Sequence, residues 1–131
     1  MNRTATIQLW NLTIGYKGKA NAKIVAENIC SDIYAGELTC LLGTNGIGKS
    51  TLLRTLSAFQ PKLSGEIRLS NRELEKYTDR ELSTVISVVL TEKCDIRNMT
   101  VRELISMGRS PYTGFWGKLS HKDEEVVNKA I

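Results

Sequence analysis

The chain has 131 residues, 41% of them apolar and 24% charged, with 18 Lys and Arg against 14 Asp and Glu. That length and apolar content suffice for one hydrophobic core, and the ordinary charge fraction excludes a disordered tail or a coiled coil. No apolar run approaches the roughly 18 residues of a membrane span, and Met1-Asn2-Arg3-Thr4-Ala5-Thr6 carries no apolar signal segment, so neither a spanning nor a secreted chain is expected. The net charge of +4 originates in residues 1–65, which hold seven basic and three acidic side chains. A nucleic-acid surface would show a dense basic stripe, and without one no nucleic-acid partner is expected. Cys30, Cys40 and Cys94 are widely spaced and form no Cys-x-x-Cys pair, and the single histidine, His121, is distant from all three in sequence. Reduced thiols are expected, not a disulfide framework or a zinc site.

Residues 6–16 alternate apolar and polar side chains in the manner of a half-buried strand, with Ile7, Leu9 and Leu12 keeping the pattern imperfectly and Trp10 packing in mid-strand. A polar turn over 17–23 leads to a second strand at 24–34, which Ala35-Gly36-Glu37 closes. Residues 38–42, Leu-Thr-Cys-Leu-Leu, are a continuous apolar run, expected as a strand covered on both faces with Cys40 buried. After a glycine-rich loop at 43–48, residues 50–59 read as a helix with Leu52, Leu53 and Leu56 on one face and Pro61 beyond its end. Ser64-Gly65 turns the chain into a strand at 66–69. Thr78-Asp79-Arg80-Glu81 and Thr100-Val101-Arg102-Glu103 have the spacing of capping boxes, so each opens a helix. Between them the β-branched run 85–90 is expected as a buried strand, and Ser120-His121-Lys122-Asp123 caps a last helix. Two alternating strands ahead of covered ones suggest an antiparallel piece joined to a parallel α/β core.

Gly43-Thr44-Asn45-Gly46-Ile47-Gly48-Lys49-Ser50 fits G-x-x-x-x-G-K-[ST] between a predicted strand and a predicted helix, the context a phosphate loop requires. A polyphosphate needs many donors converging at short range, and only backbone N–H groups pack that densely. Glycines at 43, 46 and 48 permit positive φ and close approach, and the following helix adds its unpaired N–H groups and positive dipole end. Lys49 supplies a point charge for β- and γ-phosphates, Ser50 a hydroxyl ligand for Mg²⁺, and Thr51 a donor to the α-phosphate.

The stretch from Gly43 through Lys49-Ser50-Thr51-Leu52-Leu53 is similar to the G-x-N-G-x-G-K-S-T-L-L of ATP-binding subunits of ABC transporters. The run Thr100-Val101-Arg102-Glu103-Leu104-Ile105-Ser106-Met107-Gly108-Arg109-Ser110-Pro111-Tyr112 resembles the T-V-R-E-L-V-x-x-G-R-x-P-[YHW] segment of importers for iron–siderophore complexes, haem and cobalamin. The resemblance runs over essentially the whole chain and implies a phosphate-loop NTPase fold of the ABC type, α/β with an N-terminal antiparallel portion. It implies that residues 1–131 are the N-terminal part of one ATP-binding domain, since the signature motif, the Walker B acids and the switch histidine lie downstream in the family. It further implies that Tyr16 stacks on adenine, and that Gly43, Thr44, Asn45, Gly46, Ile47, Gly48, Lys49, Ser50 and Thr51 hold the phosphates of ATP. The family's glutamine that senses Mg²⁺ falls on Thr91, a departure from the pattern, with Glu92 one residue on. Lys49 and Thr91 are then the expected catalytic side chains, and Ser50 and Thr91 the Mg²⁺ ligands. The implied partners are a second ATPase subunit, head to tail, and membrane permease subunits docked on residues 91–112, with Arg97, Arg109 and Tyr112 as contacts. The implied location is the cytoplasmic face of the cell membrane. With downstream strands absent from the chain, residues 38–42 are expected to expose a sheet edge and an apolar face, with self-association or disorder beyond about residue 110 as the result. Two other readings are a soluble ABC-type ATPase acting on nucleic acid or ribosomes, and a nucleotide-binding piece without hydrolysis.

Overall fold

A computed structural model describes residues 5–18, 21–91, 98–114 and 116–131, in two compact units, Met1–Tyr77 and Thr78–Ile131. Glu92, Cys94 and Arg97 lie outside the described residues.

The first unit is a four-stranded antiparallel sheet in the order β2-β1-β3-β4, built from β1 (Ala5–Tyr16), β2 (Lys23–Tyr34), β3 (Ser64–Leu69) and β4 (Arg72–Glu73). Its core is Leu9, Leu12, Ile14, Ile67 and Leu69, all nearly inaccessible to solvent. The imperfect alternation of β1 has a simple cause. Asn11 adopts φ 43°, and the register slips there against both neighbours, so the inward side chains step from Leu9 to Leu12 and then resume period two at Ile14. The backbone N–H of Asn11 donates to Cys30 Sγ at 3.3 Å. Trp10 sits beyond the core, 40% exposed, under the Arg68 guanidinium 5.3 Å from its ring centre.

Helix α1 (Lys49–Leu56) packs on β1 through buried Thr51 and Thr55, the Thr55 hydroxyl donating to the Thr51 carbonyl at 2.8 Å. It ends where Ala58 takes φ 59°, letting the N–H groups of Phe59 and Gln60 reach the Arg54 carbonyl. A glycine fills that left-handed position at no steric cost. Ala58→Gly should therefore stabilise the chain by about 1 kcal/mol, read as a higher urea midpoint at constant slope.

Residues 38–42 do not form the expected covered strand. The backbone there is unpaired, Leu38 and Leu42 are 92% and 87% exposed, and Cys40 is exposed too. An apolar run becomes a doubly covered strand only between two ladder partners, and none of the described strands lies beside it. The expected edge is thus present as exposed apolar chain, not as a strand.

In the second unit, α2 (Asp79–Val85), α3 (Val101–Met107) and α4 (His121–Ala130) each open with a complete capping box: Thr78 with Glu81, Thr100 with Glu103, Ser120 with Asp123. Residues 85–90 are not a buried strand either: Val85 ends α2 and Val88, Val89 and Leu90 are exposed, again with no described neighbour to pair with. Helices α3 and α4 pack together around fully buried Val127. Arg80 donates to the carbonyls of Pro111 at 2.9 Å and Thr113 at 3.2 Å, which fixes α2 to the Ser110–Tyr112 turn.

Asp123 is buried and accepts from the Ser120 hydroxyl (2.6 Å), the Ser120 N–H (3.0 Å) and Arg109 Nε (2.8 Å). The Ser120 bonds first, then Arg109, hold its carboxyl from an ordinary 3.8 down to about 2. A carboxyl lowered by folding stabilises fully above its unfolded value and loses that stabilisation as pH falls through its folded one. The helical signal of this unit should weaken between about pH 4 and pH 2, and Asp123→Asn should flatten that part of an acid titration followed by circular dichroism.

Candidate functional site

The loop at 43–48 runs into α1 through Gly48, whose φ of 110° is closed to other residues and whose missing Cβ would meet Val25 Cγ1 at 2.6 Å. Glycine is thus required twice over, for the turn and for the seat of the loop against β2. Lys49 folds back over the loop and donates from Nζ to the carbonyls of Gly43 and Thr44, both at 2.7 Å. The ammonium therefore ties the two ends of the loop together.

Beside the loop lies a cavity of about 480 Å³ lined by Tyr16, Asn45, Gly46, Gly48, Lys49, Ser50 and Thr51 from the expected set. The expected residues Gly43, Thr44 and Ile47 complete the loop around it, with Ile47 N–H donating to the Thr44 carbonyl at 3.4 Å. The Tyr16 hydroxyl lies 3.3 Å from Thr51 Oγ1, which fixes the ring against the first turn of α1. Gly15 allows this placement: a Cβ there would strike the Lys23 carbonyl at 2.1 Å, so only glycine lets β1 and β2 converge at the end of the strand pair. Ser50 is exposed on the cavity wall, and no hydrogen bond is made to its hydroxyl among the described residues. Thr91 is exposed and belongs to the second unit.

The β2 residues Lys23, Ile24 and Val25 also line the cavity, a wall that loop-centred reading misses. The signal was the pairing of Tyr16 with Lys23 in a hairpin whose tight end needs Gly15.

A glycine loop feeding a helix N-terminus, set against an antiparallel sheet, is the arrangement of the phosphate-loop NTPase fold in its ABC-cassette form. The chain belongs to the ABC transporter family, whose family model matches residues 26–131. It is 34% identical over 117 residues to the uncharacterized ABC transporter ATP-binding protein MJ0873 of Methanocaldococcus jannaschii, covering 89% of this chain and 39% of that protein. It is 37% identical over 120 residues to the ferric enterobactin transport ATP-binding protein FepC of Escherichia coli, covering 92% and 43%. Among solved structures, the dimeric bacterial ABC transporter cassette MJ0796 superposes with a TM-score of 0.74 at 26% identity, over 95% of this chain and 53% of that one. The chain thus spans less than half the length of these two curated relatives. Among the described residues no helix is long and apolar enough to cross a membrane.

Proposed function

We propose that the chain is the MgATP-binding portion of an ABC importer ATPase that couples hydrolysis to uptake of an iron–siderophore or similar metal chelate. The observation that carries this reading is the loop from Gly43 to Thr51, with Lys49 clasping its carbonyls and Tyr16 at the far side of the same cavity. Its triphosphate would lie along the loop N–H groups and the start of α1, with Lys49 on the β- and γ-phosphates and Thr51 on the α-phosphate. The exposed face of Tyr16 would stack the adenine. Among the described residues no group of three His, Cys, Asp or Glu could hold an ion unaided. The free Ser50 hydroxyl therefore suits a Mg²⁺ that arrives with the nucleotide and keeps phosphate and water ligands. When bound, such an ion would supply charge neutralisation at the phosphates, with the Ser50 hydroxyl as its ligand from α1. Thr91 is the second proposed ligand and, with Lys49, a catalytic residue. The residues 91–112 would dock the permease, a second subunit would join head to tail, and the assembly would sit at the cytoplasmic face of the membrane. FepC's name and the similarity of residues 100–112 to the siderophore-importer segment favour a chelate cargo.

The test is uptake of iron-labelled siderophore by cells lacking the gene, complemented with the intact gene or its Lys49→Ala form. Uptake restored by the first and not the second supports the reading. Normal uptake without the gene, together with a defect in translation or DNA repair, would favour the soluble ATPase instead.

A further inference from the structure

Helix α1 receives the phosphate loop at its first turn, and the chain just past its last turn reaches back to β1. The left-handed Ala58 reverses the backbone, so that the N–H groups of Phe59 and Gln60 donate to the Arg54 carbonyl at 2.9 and 3.2 Å. Gln60 is thereby fixed to the end of α1. Its half-buried side chain crosses 45 residues of sequence, Nε2 donating to the Gly15 carbonyl at 2.5 Å. Leu63 keeps the segment in place, its N–H donating to the Thr13 carbonyl at 2.9 Å. Gln60 itself lines no part of the nucleotide cavity.

The carbonyl that Gln60 holds belongs to the peptide unit joining Gly15 to Tyr16. A peptide unit is planar, so a donor fixed on its oxygen sets the plane from which the Tyr16 side chain departs. That anchor acts where the backbone is otherwise least restrained. Gly15 has the widest conformational freedom of any residue type, and the β1–β2 register shifts between Ile14 and Gly15. The Tyr16 ring is 49% exposed, so packing alone restrains it weakly. It is held instead at two ends, by Thr51 at its hydroxyl and by Gln60 at its backbone. Both contacts come from α1 or the turn that closes it, the same helix that receives the phosphate loop.

We infer that Gln60 is a positioning residue of the nucleotide site, whose amide holds the Gly15–Tyr16 peptide so that the ring is set in place before a ligand arrives. It contacts no ligand and acts only through Tyr16. The inference rests on the nucleotide-site reading above, in which Tyr16 stacks the base.

The test is a double-mutant cycle between Gln60→Met and Tyr16→Ala, followed by calorimetric titration with MgATP and with magnesium tripolyphosphate. Methionine has similar length and no donor. Gln60→Ala serves as a second variant, and urea midpoints confirm that each form is folded. In the natural background Gln60→Met should lower MgATP affinity roughly fivefold, the size of one neutral hydrogen bond. Tripolyphosphate, which has no base to stack, should bind within about twofold of the natural chain. With Tyr16→Ala present, Gln60→Met should change MgATP affinity by less than about twofold, because the group it positions is gone. Equal weakening for both ligands would assign Gln60 to the loop or the fold at large and overturn the inference. So would an undiminished effect in the Tyr16→Ala background, or no effect in the natural one. Failure of the natural chain to bind either ligand would instead overturn the nucleotide-site reading itself, and the inference with it.

Discussion

Lys49→Ala should lower affinity for MgATP by about a hundredfold, the loss of a charge-assisted contact worth roughly 2.7 kcal/mol. The lysine also joins the Gly43 and Thr44 carbonyls, so its removal frees the loop as well as deleting the cation. Tripolyphosphate binding should fall in parallel, because the proposed contact is to phosphate and not to the nucleoside. Calorimetric titration with both ligands checks this, and an alanine form binding within threefold of the natural chain would remove Lys49 from the site.

Gly48→Ala should cost the first unit about 2–3 kcal/mol of stability, read by urea denaturation. Two penalties combine. The new Cβ falls 2.6 Å from Val25 Cγ1, and φ of 110° is strained for any L side chain. The neighbouring Gly46→Ala separates them: its φ of 84° is strained as well, but nothing lies within 4 Å of its Cβ. It should cost only about 1–2 kcal/mol. A Val25→Ala change added to Gly48→Ala should recover part of the loss by opening the contact. Equal costs at 46 and 48 would show that the contact with Val25 is unimportant.

The features legible in the sequence are those decided locally. Three capping boxes were readable because an N-cap hydroxyl and an acid three residues later are enough to close the motif, whatever surrounds them. The phosphate loop was readable because its glycines are required by its own backbone, and its boundaries held to within three residues, α1 ending at Leu56 where 59 was expected. The two apolar runs at 38–42 and 85–90 misled because a strand is a relation between segments, and their composition says nothing about a partner. In β1 the difficulty was smaller: Asn11 inserts one residue into the alternation, and a period-two reading cannot tell an inserted residue from a weak strand. Lys23 and Val25 escaped notice because their place at the cavity depends on hairpin register. Thr91 was reached only through a family spacing.

The pairing of β1 with β3 brings together Ile7 and Leu69, about sixty residues apart along the chain, a closure whose entropic cost must be met before the contact can reward it. By contrast, each helix of the second unit satisfies its own first turn from within four residues. Topology of this kind should separate the two units in time. Locally terminated helices form early, and a sheet closed by distant strands forms late. The cavity is lined from β1, β2 and the loop entering α1, with no residue of β3 on its wall. Every residue that lines the cavity therefore leaves the ribosome ahead of β3, so the ligand-facing wall is synthesised before the strand whose pairing with β1 closes the longest loop of the sheet.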